Sequence, residues 1–420
     1  MAKKKVLFVA TVVKTHIVQF HIPYLKMLKE MGWETAVAAK NDYDDPSECN
    51  IPYCDRYYPV AFGRSPMTRD NIRAYKELKD IIDEGDFDII HCHTPVAAFL
   101  TRLAARDTRK KSCKVIYTAH GYHFYKGAPL LNWLVFFPAE WIASFFTDVL
   151  ITINREDYEF SKKHLHAKRL EYVQGVGVKL ERFQNHAAER DAIRASLGLQ
   201  KDDFVLLSVA EMTKNKNHRM MLEAMSRIPN PHVHLLCAGR GQELENNIAL
   251  CSQLHLTDRV HFLGYRSDVP LLYAAADAFL FISFREGLSL SLMEAMSSGL
   301  PSIVSPIRGN VDLITDRKEG IYARLHPKSI AEAIVSLESD PELRRSLGKA
   351  AKEKVQAFSL DTISKRMEEI YRSISGLFSN FARKRTIFPL LFIFLHIGGG
   401  GINGTRAIKA NRCIERRCHN

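Results

Sequence analysis

Short apolar runs, each followed by an amphipathic stretch, recur along most of this 420-residue chain. That alternation is the strongest constraint on its fold. A run that is short and apolar on every side chain suits a strand buried on both faces. A helix after each such strand makes the sheet parallel. Val6–Val13, Thr35–Ala39, Ile89–Cys92, Val115–Ala119 and Val149–Ile153 predict the strands; Phe20–Met31, Arg69–Asp83, Val96–Arg106 and Arg155–His164 predict the helices between them. The pattern restarts after Gln174-Gly-Val-Gly-Val178, with strands expected at Phe204–Ala210, Val233–Ala238, Val260–Leu263, Ala278–Ile282 and Pro301–Ser305. The expectation is an α/β chain of two Rossmann-like, doubly wound halves, residues 1–178 and 179–360. A last amphipathic helix over 361–375 and an atypical basic and apolar tail over 376–420 complete it.

Composition narrows the partners. The 59 Lys and Arg against 47 Asp and Glu give +12, but residues 376–420 hold eight of the bases and a single acid, leaving +5 for the rest. A body so mildly basic favours small anions or an anionic membrane face and excludes a nucleic-acid footprint. The eight cysteines form no CxxC pair and several sit in apolar runs, which predicts reduced, buried thiols in the cytoplasm. Lys3-Lys4-Lys5 before Val6–Val13 mimics a secretory signal, but no small-x-small cleavage pattern follows, so a buried first strand is expected. The apolar run Ile387–Ile397 is about half of what spans a bilayer.

In doubly wound sheets ligands gather beyond the carboxyl ends of the strands. Lys214 and Lys216, in the turn after Phe204–Ala210, suit an anion at the next helix start. Cys237-Ala-Gly-Arg-Gly241 offers close backbone approach at Gly239 and a charge at Arg240. After Ala278–Ile282 comes Glu286, and eight residues later Glu294 lies among Leu290, Leu292, Met293 and Met296, so its carboxylate needs a partner. Both carboxylates can accept hydrogen bonds from sugar hydroxyls. Gly299-x-Pro301 leads to Gly309 and Asn310, another turn at the ligand edge.

The Glu286-x7-Glu294 pair, the Lys216 turn, Gly299-x-Pro301, Thr118-Ala-His-Gly121 and the two-Rossmann layout resemble the retaining GT-B glycosyltransferases of family 4, over residues 4–375. The resemblance implies two domains facing across a cleft, a nucleotide-sugar donor (UDP being the commonest nucleotide) held by the second, and no metal or other cofactor. It assigns Glu294 to the ribose, Glu286 to the donor sugar, Gly287 and Leu288 amides to the same region, and Lys216 to the diphosphate, with His120 approaching from the first domain. Lys214, Gly239 and Arg240 then complete the donor side, and His16, His93 and His123 the acceptor side. The implied acceptor is a saccharide or polyprenyl-diphosphate-linked saccharide of cell-surface polysaccharide synthesis. The chain departs from the family pattern in having Glu211 where Arg is usual, Thr11-Val-Val-Lys-Thr-His16 in place of a Gly-rich loop, and Asp312 where Glu is common.

Competing readings are weaker. Asp86-Phe-Asp88 matches a DxD metal motif but precedes its strand, the wrong edge for a ligand. His91-x-His93 with His120 and His123 invites zinc, but satisfied strand-end histidines are the expectation. An epimerase or phosphorylase could share the layout, yet neither its acid/base pair nor a pyridoxal lysine is identifiable; a non-catalytic nucleotide-sugar binder would lose Glu286 or Lys216, and both are present. The apolar stretch Leu130–Phe146 is either a buried helix pair or, with Lys162, Lys163, Lys168 and Arg169, a membrane-facing or lipid-acceptor groove.

Overall fold

The computed structural model describes residues 3–63, 65–66 and 68–376, and every strand expected from the apolar runs is present. The first half contains β1 (Lys5–Val12), β2 (Glu34–Lys40), β3 (Arg56–Pro59), β4 (Ile89–His93), β5 (Lys114–Ala119), β6 (Val149–Thr152) and β7 (Arg169–Tyr172). They form one parallel sheet in the order β3-β2-β1-β4-β5-β6-β7. The second half contains β8 (Phe204–Val209), β9 (Val233–Ala238), β10 (Val260–Gly264), β11 (Ala278–Phe281), β12 (Ser302–Val304) and β13 (Gly320–Tyr322), parallel in the order β10-β9-β8-β11-β12-β13.

The apolar runs did not reveal β3, β7 or β13, and all three are sheet edges. A strand with one neighbour needs no continuous apolar run, and Arg56–Pro59 and Arg169–Tyr172 have none. Two further departures matter for the site. A six-residue π-helical turn, Val13–Val18, follows β1 and precedes the helix Ile22–Glu30. The Leu130–Phe146 stretch is neither buried nor a pair: it is a single helix, Leu130–Ser144, with Leu130, Leu131, Leu134, Trp141 and Ile142 exposed.

Each sheet is covered on both faces. The helix Leu360–Ile374 carries Ile363, Met367, Ile370 and Tyr371 on one stripe, all buried among Phe8, Tyr24, Leu25 and Ile89 of the first half. Each such fully buried side chain contributes about 1.5–3 kcal/mol. Val178 and Ser359 meet in a parallel bridge, so the chain returns across the same point at which it left the first sheet. Among the described cysteines, all free, Cys92, Cys113, Cys237 and Cys251 are buried, while Cys49 and Cys54 are only half-buried, a departure from the expected burial. Cys413, Cys418 and the rest of the tail from 377 lie outside the described residues.

Candidate active site

Strand order reverses between β1 and β4 in the first sheet and between β8 and β11 in the second. Those switch points open crevices at the carboxyl ends of the strands. In the second half the turn after β8 holds Lys214–Lys216, and Asn217 (φ 52°) turns the chain into the helix His218–Met225. The turn after β11 carries Glu286. Lys216 Nζ donates to Glu286 Oε1 at 2.7 Å and lies 4.7 Å from the centre of the Phe281 ring. The two turns are stitched together by Asn215, whose carbonyl accepts from the Phe284 amide (2.9 Å) and whose side-chain amide donates to the Arg285 carbonyl (2.9 Å).

Ser289 caps the helix Leu290–Ser297, its hydroxyl accepting from the Leu292 amide, so Gly287 and Leu288 lie just before a helix N-terminus. Glu294 is on that helix and accepts a bond from the Tyr273 hydroxyl (3.1 Å). Burial raises its carboxyl above the ordinary range, partly offset by Tyr273 and Arg182. It lines a cavity of about 250 Å³ with Phe20 and Pro23 of the first half and with Val176, Lys179 and Arg182 of the connecting segment.

The remaining second-half candidates are less enclosed. Lys214 and Arg240 are exposed, Arg240 being 6.0 Å from the Tyr265 ring centre. Gly239 has a packing reason for its identity: a Cβ there would lie 2.0 Å from the Ala210 carbonyl oxygen. Glu211 is exposed.

Across the cleft, His120 follows β5 and meets the Glu286 turn directly. A Cβ on Gly287 would lie 2.1 Å from the His120 carbonyl oxygen, and one on Gly309 would lie 2.3 Å from the Gly287 carbonyl oxygen. Glycine is therefore required at 287 for the two halves to approach this closely, and at 309 for its turn to lie against the Gly287 backbone within the second half. His120 Nε2 is 3.3 Å from His93 Nδ1, and burial lowers the His120 pKa to about 4. His16, on the π-helical turn, and His123 line a cavity of about 330 Å³ with Thr11, Thr94 and Phe136. The His123 ring stacks on Phe136, with 4.7 Å between centres, and its pKa is lowered to about 4 by burial first and by Arg285 and Arg308 after it. His93 is buried behind these groups at 1% exposure.

Two residues escaped the sequence reading. Arg308 is buried and bridges the halves: Nη1 donates to Asp157 Oδ1 (2.8 Å), Nη2 to the Tyr122 carbonyl (3.1 Å) and Nε to the Glu286 carbonyl (3.1 Å). Its partners are up to 186 residues away in sequence, which no local pattern reports. His21 lies against His93, 3.8 Å between ring centres. Its only signal was its spacing five residues after His16. Asp88 accepts the Lys5 amide (2.8 Å) at the start of β1, so Asp86-Phe-Asp88 lies at the opposite sheet edge from the cleft. His91 fits the expectation of a satisfied histidine, bonded to Tyr371 (2.6 Å) and Thr118 (2.8 Å). His93 does not, since its Nε2 is buried without a partner.

Residues 189–354 match the family of glycosyl transferases group 1, and residues 5–154 the glycosyl transferase 4-like family. A Bacillus subtilis chain named as the glycosyltransferase EpsD is 38% identical over 373 residues, covering 88% of this chain and 96% of that one. The Escherichia coli UDP-Gal:alpha-D-GlcNAc-diphosphoundecaprenol alpha-1,3-galactosyltransferase is 30% identical over 320 residues, 73% of this chain and 82% of the relative. The Anabaena protein HepE, solved in complex with UDP and glucose, superposes with a TM-score of 0.74 at 19% identity, over 88% of this chain and all of that one. The chain therefore belongs to the glycosyl transferases group 1 and is a glycosyltransferase of the GT-B fold.

Proposed function

We propose that this glycosyltransferase moves a sugar from a UDP-sugar, with retention of anomeric configuration, to a saccharide or a polyprenyl-diphosphate-linked saccharide in cell-surface polysaccharide synthesis. The observation that carries the reading is the Lys216–Glu286 pair, 2.7 Å apart, set against His120 and Gly121 across the cleft. A lysine held beside a carboxylate at the start of a helix is a divided site for a sugar diphosphate. The ammonium suits the diphosphate, and the carboxylate suits the sugar hydroxyls. Donor entry would exchange the internal ion pair for these two contacts.

In this scheme Glu294 holds the ribose, while the Gly287 and Leu288 amides cap the donor sugar. Lys214, Gly239 and Arg240 border the phosphates, and His120 meets the sugar from the first half. The bond from C1 to the leaving diphosphate oxygen breaks while the acceptor oxygen attacks C1 from the same face. The acceptor proton passes to the departing phosphate oxygen, whose growing charge Lys216 stabilises. Cationic side chains and helix-start amides supply that stabilisation, so the transfer step needs no metal. His16, His93 and His123 belong to the acceptor side, with the 330 Å³ cavity as its entrance.

The acceptor proposal draws on the diphosphoundecaprenol named for the Escherichia coli relative and on the exposed apolar side of the Leu130–Ser144 helix. His166 stacks on Phe145 just beyond that helix (4.4 Å), and Lys168, two residues on, pairs with Asp148 (3.0 Å). Such an apolar face suits peripheral contact with an anionic membrane on its cytoplasmic side. No described helix is long and apolar enough to cross a membrane.

The test is transfer by Glu286→Ala from a panel of UDP-sugars. The proposal predicts kcat reduced on the order of 10²–10³-fold, as when one preorganised transition-state contact is removed, with UDP binding retained. Turnover equal to wild type would contradict it.

A further inference from the structure

Four histidines converge beside the cleft from three separate segments. His16 lies within the π-helical turn after β1 and His21 just beyond it, His93 ends β4, and His120 follows β5. One ring nitrogen from each lies within 4.8 Å of every other. The rings are in mutual contact: centres are 3.8 Å apart for His21 and His93, and 5.0 Å for His16 with His21 and with His120.

We propose that His16, His21, His93 and His120 form a binding site for one divalent transition-metal ion of the zinc type. The site shares His16, His93 and His120 with the first-half side of the proposed transfer cleft, but it does not rest on the transfer reading.

Three observations carry it. First, several of the ring nitrogens have no protein partner. His16 Nε2, both nitrogens of His21 and Nε2 of His93 are buried without hydrogen-bond partners, and His21 and His93 are each 1% exposed. Buried polar nitrogens nearly always find partners, and one ion taking one nitrogen from each ring would satisfy His16 Nε2 and one nitrogen of His21. Second, the spacing fits. Zinc bound to imidazole at about 2.0–2.1 Å in a tetrahedron places ligand nitrogens roughly 3.4 Å apart, and His93 Nδ1 and His120 Nε2 are already 3.3 Å apart. The other nitrogens, within 4.8 Å of one another, must close in by up to about 1.4 Å to reach that tetrahedron, through rotation of the rings about their side-chain bonds. Third, the donor set selects the ion. Four imidazoles and no carboxylate suit zinc and its neighbours and exclude magnesium or calcium, which require oxygen. Burial, reinforced by the neighbouring histidines, also keeps the rings neutral, the form with a lone pair to give.

His91 shows the contrast within the same strand. It faces the same side two residues earlier, and both its nitrogens are bonded, to Tyr371 and Thr118. It serves as a neighbour and not as a ligand. An ion has a route in, because His16 also lines the 330 Å³ cavity that opens toward solvent. Once bound, the ion would tie the β1 turn to the ends of β4 and β5 and occupy the His120 nitrogen nearest the cluster.

The experiment is calorimetric titration of the full chain with zinc chloride, with cobalt(II) chloride as a spectroscopic substitute. The expected result is one equivalent bound in the cluster, with cobalt showing the strong visible bands of a tetrahedral nitrogen site. Magnesium should not compete. His21→Asn and His16→Asn should each weaken binding by at least the ~10–100-fold that loss of even a ligand's supporting partner costs. No binding of either metal, or affinity unchanged in both variants, would overturn the proposal. Should both variants fail to fold, a zinc-edge anomalous difference map of zinc-soaked wild-type crystals decides: a peak among the four rings supports the site, and its absence there refutes it.

Discussion

The two crevices at the switch points are built on opposite electrostatic plans. In the second half the functional charges are paired within the protein: Lys216 with Glu286 at 2.7 Å, and Glu294 with the Tyr273 hydroxyl at 3.1 Å. In the first half the groups at the corresponding strand ends are neutral imidazoles, several of them without partners. The difference follows from what each crevice can receive. A charge held in a half-buried turn needs a counter-charge until an ionic ligand arrives. A buried imidazole can shed its charge and wait as a neutral ring. The paired crevice suits an anionic donor, and the unpaired one suits an acceptor group or a metal.

Arg308 crosses that division, and its loss should have the largest effect on stability. It and Asp157 are both buried, and the guanidinium also holds the Tyr122 and Glu286 carbonyls. Arg308→Ala leaves the buried Asp157 without its cationic partner, holding only the Tyr122 amide and Asn154, so chemical denaturation should show a loss of about 3–5 kcal/mol. A loss below about 1 kcal/mol would mean that the halves are not coupled through this pair. The expected effect of Lys216→Ala is smaller. Removing a hydrogen bond to a charged ligand costs about 1.5–3 kcal/mol, which is roughly 10–150-fold in UDP affinity by calorimetry. Affinity within twofold of wild type would place the diphosphate elsewhere.

The contrast between the crevices also accounts for what the sequence disclosed. Lys216, Glu286 and Glu294 are legible because each sits in or beside one turn after one strand, and the strands announce themselves by apolar runs. The edge strands β3, β7 and β13 were not legible, since an edge position removes the requirement for such a run. The histidine cluster was legible only in fragments. His91-x-His93 is visible as a pair, but alternation puts both on one face of β4 without saying which stays unpartnered. That depends on Tyr371, 280 residues away from His91. His21 joins the cluster because the chain makes a π-helical turn after β1, which nothing in Val13–Val18 advertises. Arg308 was invisible for the same reason: two of its three partners, Asp157 and Tyr122, come from the other half of the chain.

The smallest expected effect is at the exposed apolar helix. Leu131 and Leu134 are 70% and 64% exposed, so Leu131→Gln with Leu134→Gln should change stability by no more than about 0.5 kcal/mol per site. The same variant should lose sedimentation with anionic vesicles while keeping turnover on a water-soluble acceptor. Vesicle binding equal to wild type would remove this helix from the membrane contact.

The central claim is that the crevice between β8 and β11 holds the nucleotide. Its most direct test is the thermal shift caused by UDP at pH 7, on the wild type and Glu294→Ala side by side. The account predicts that UDP raises the Tm of the wild type and leaves that of the variant unmoved. No shift of the wild type with UDP, or an equal shift in both proteins, would contradict it.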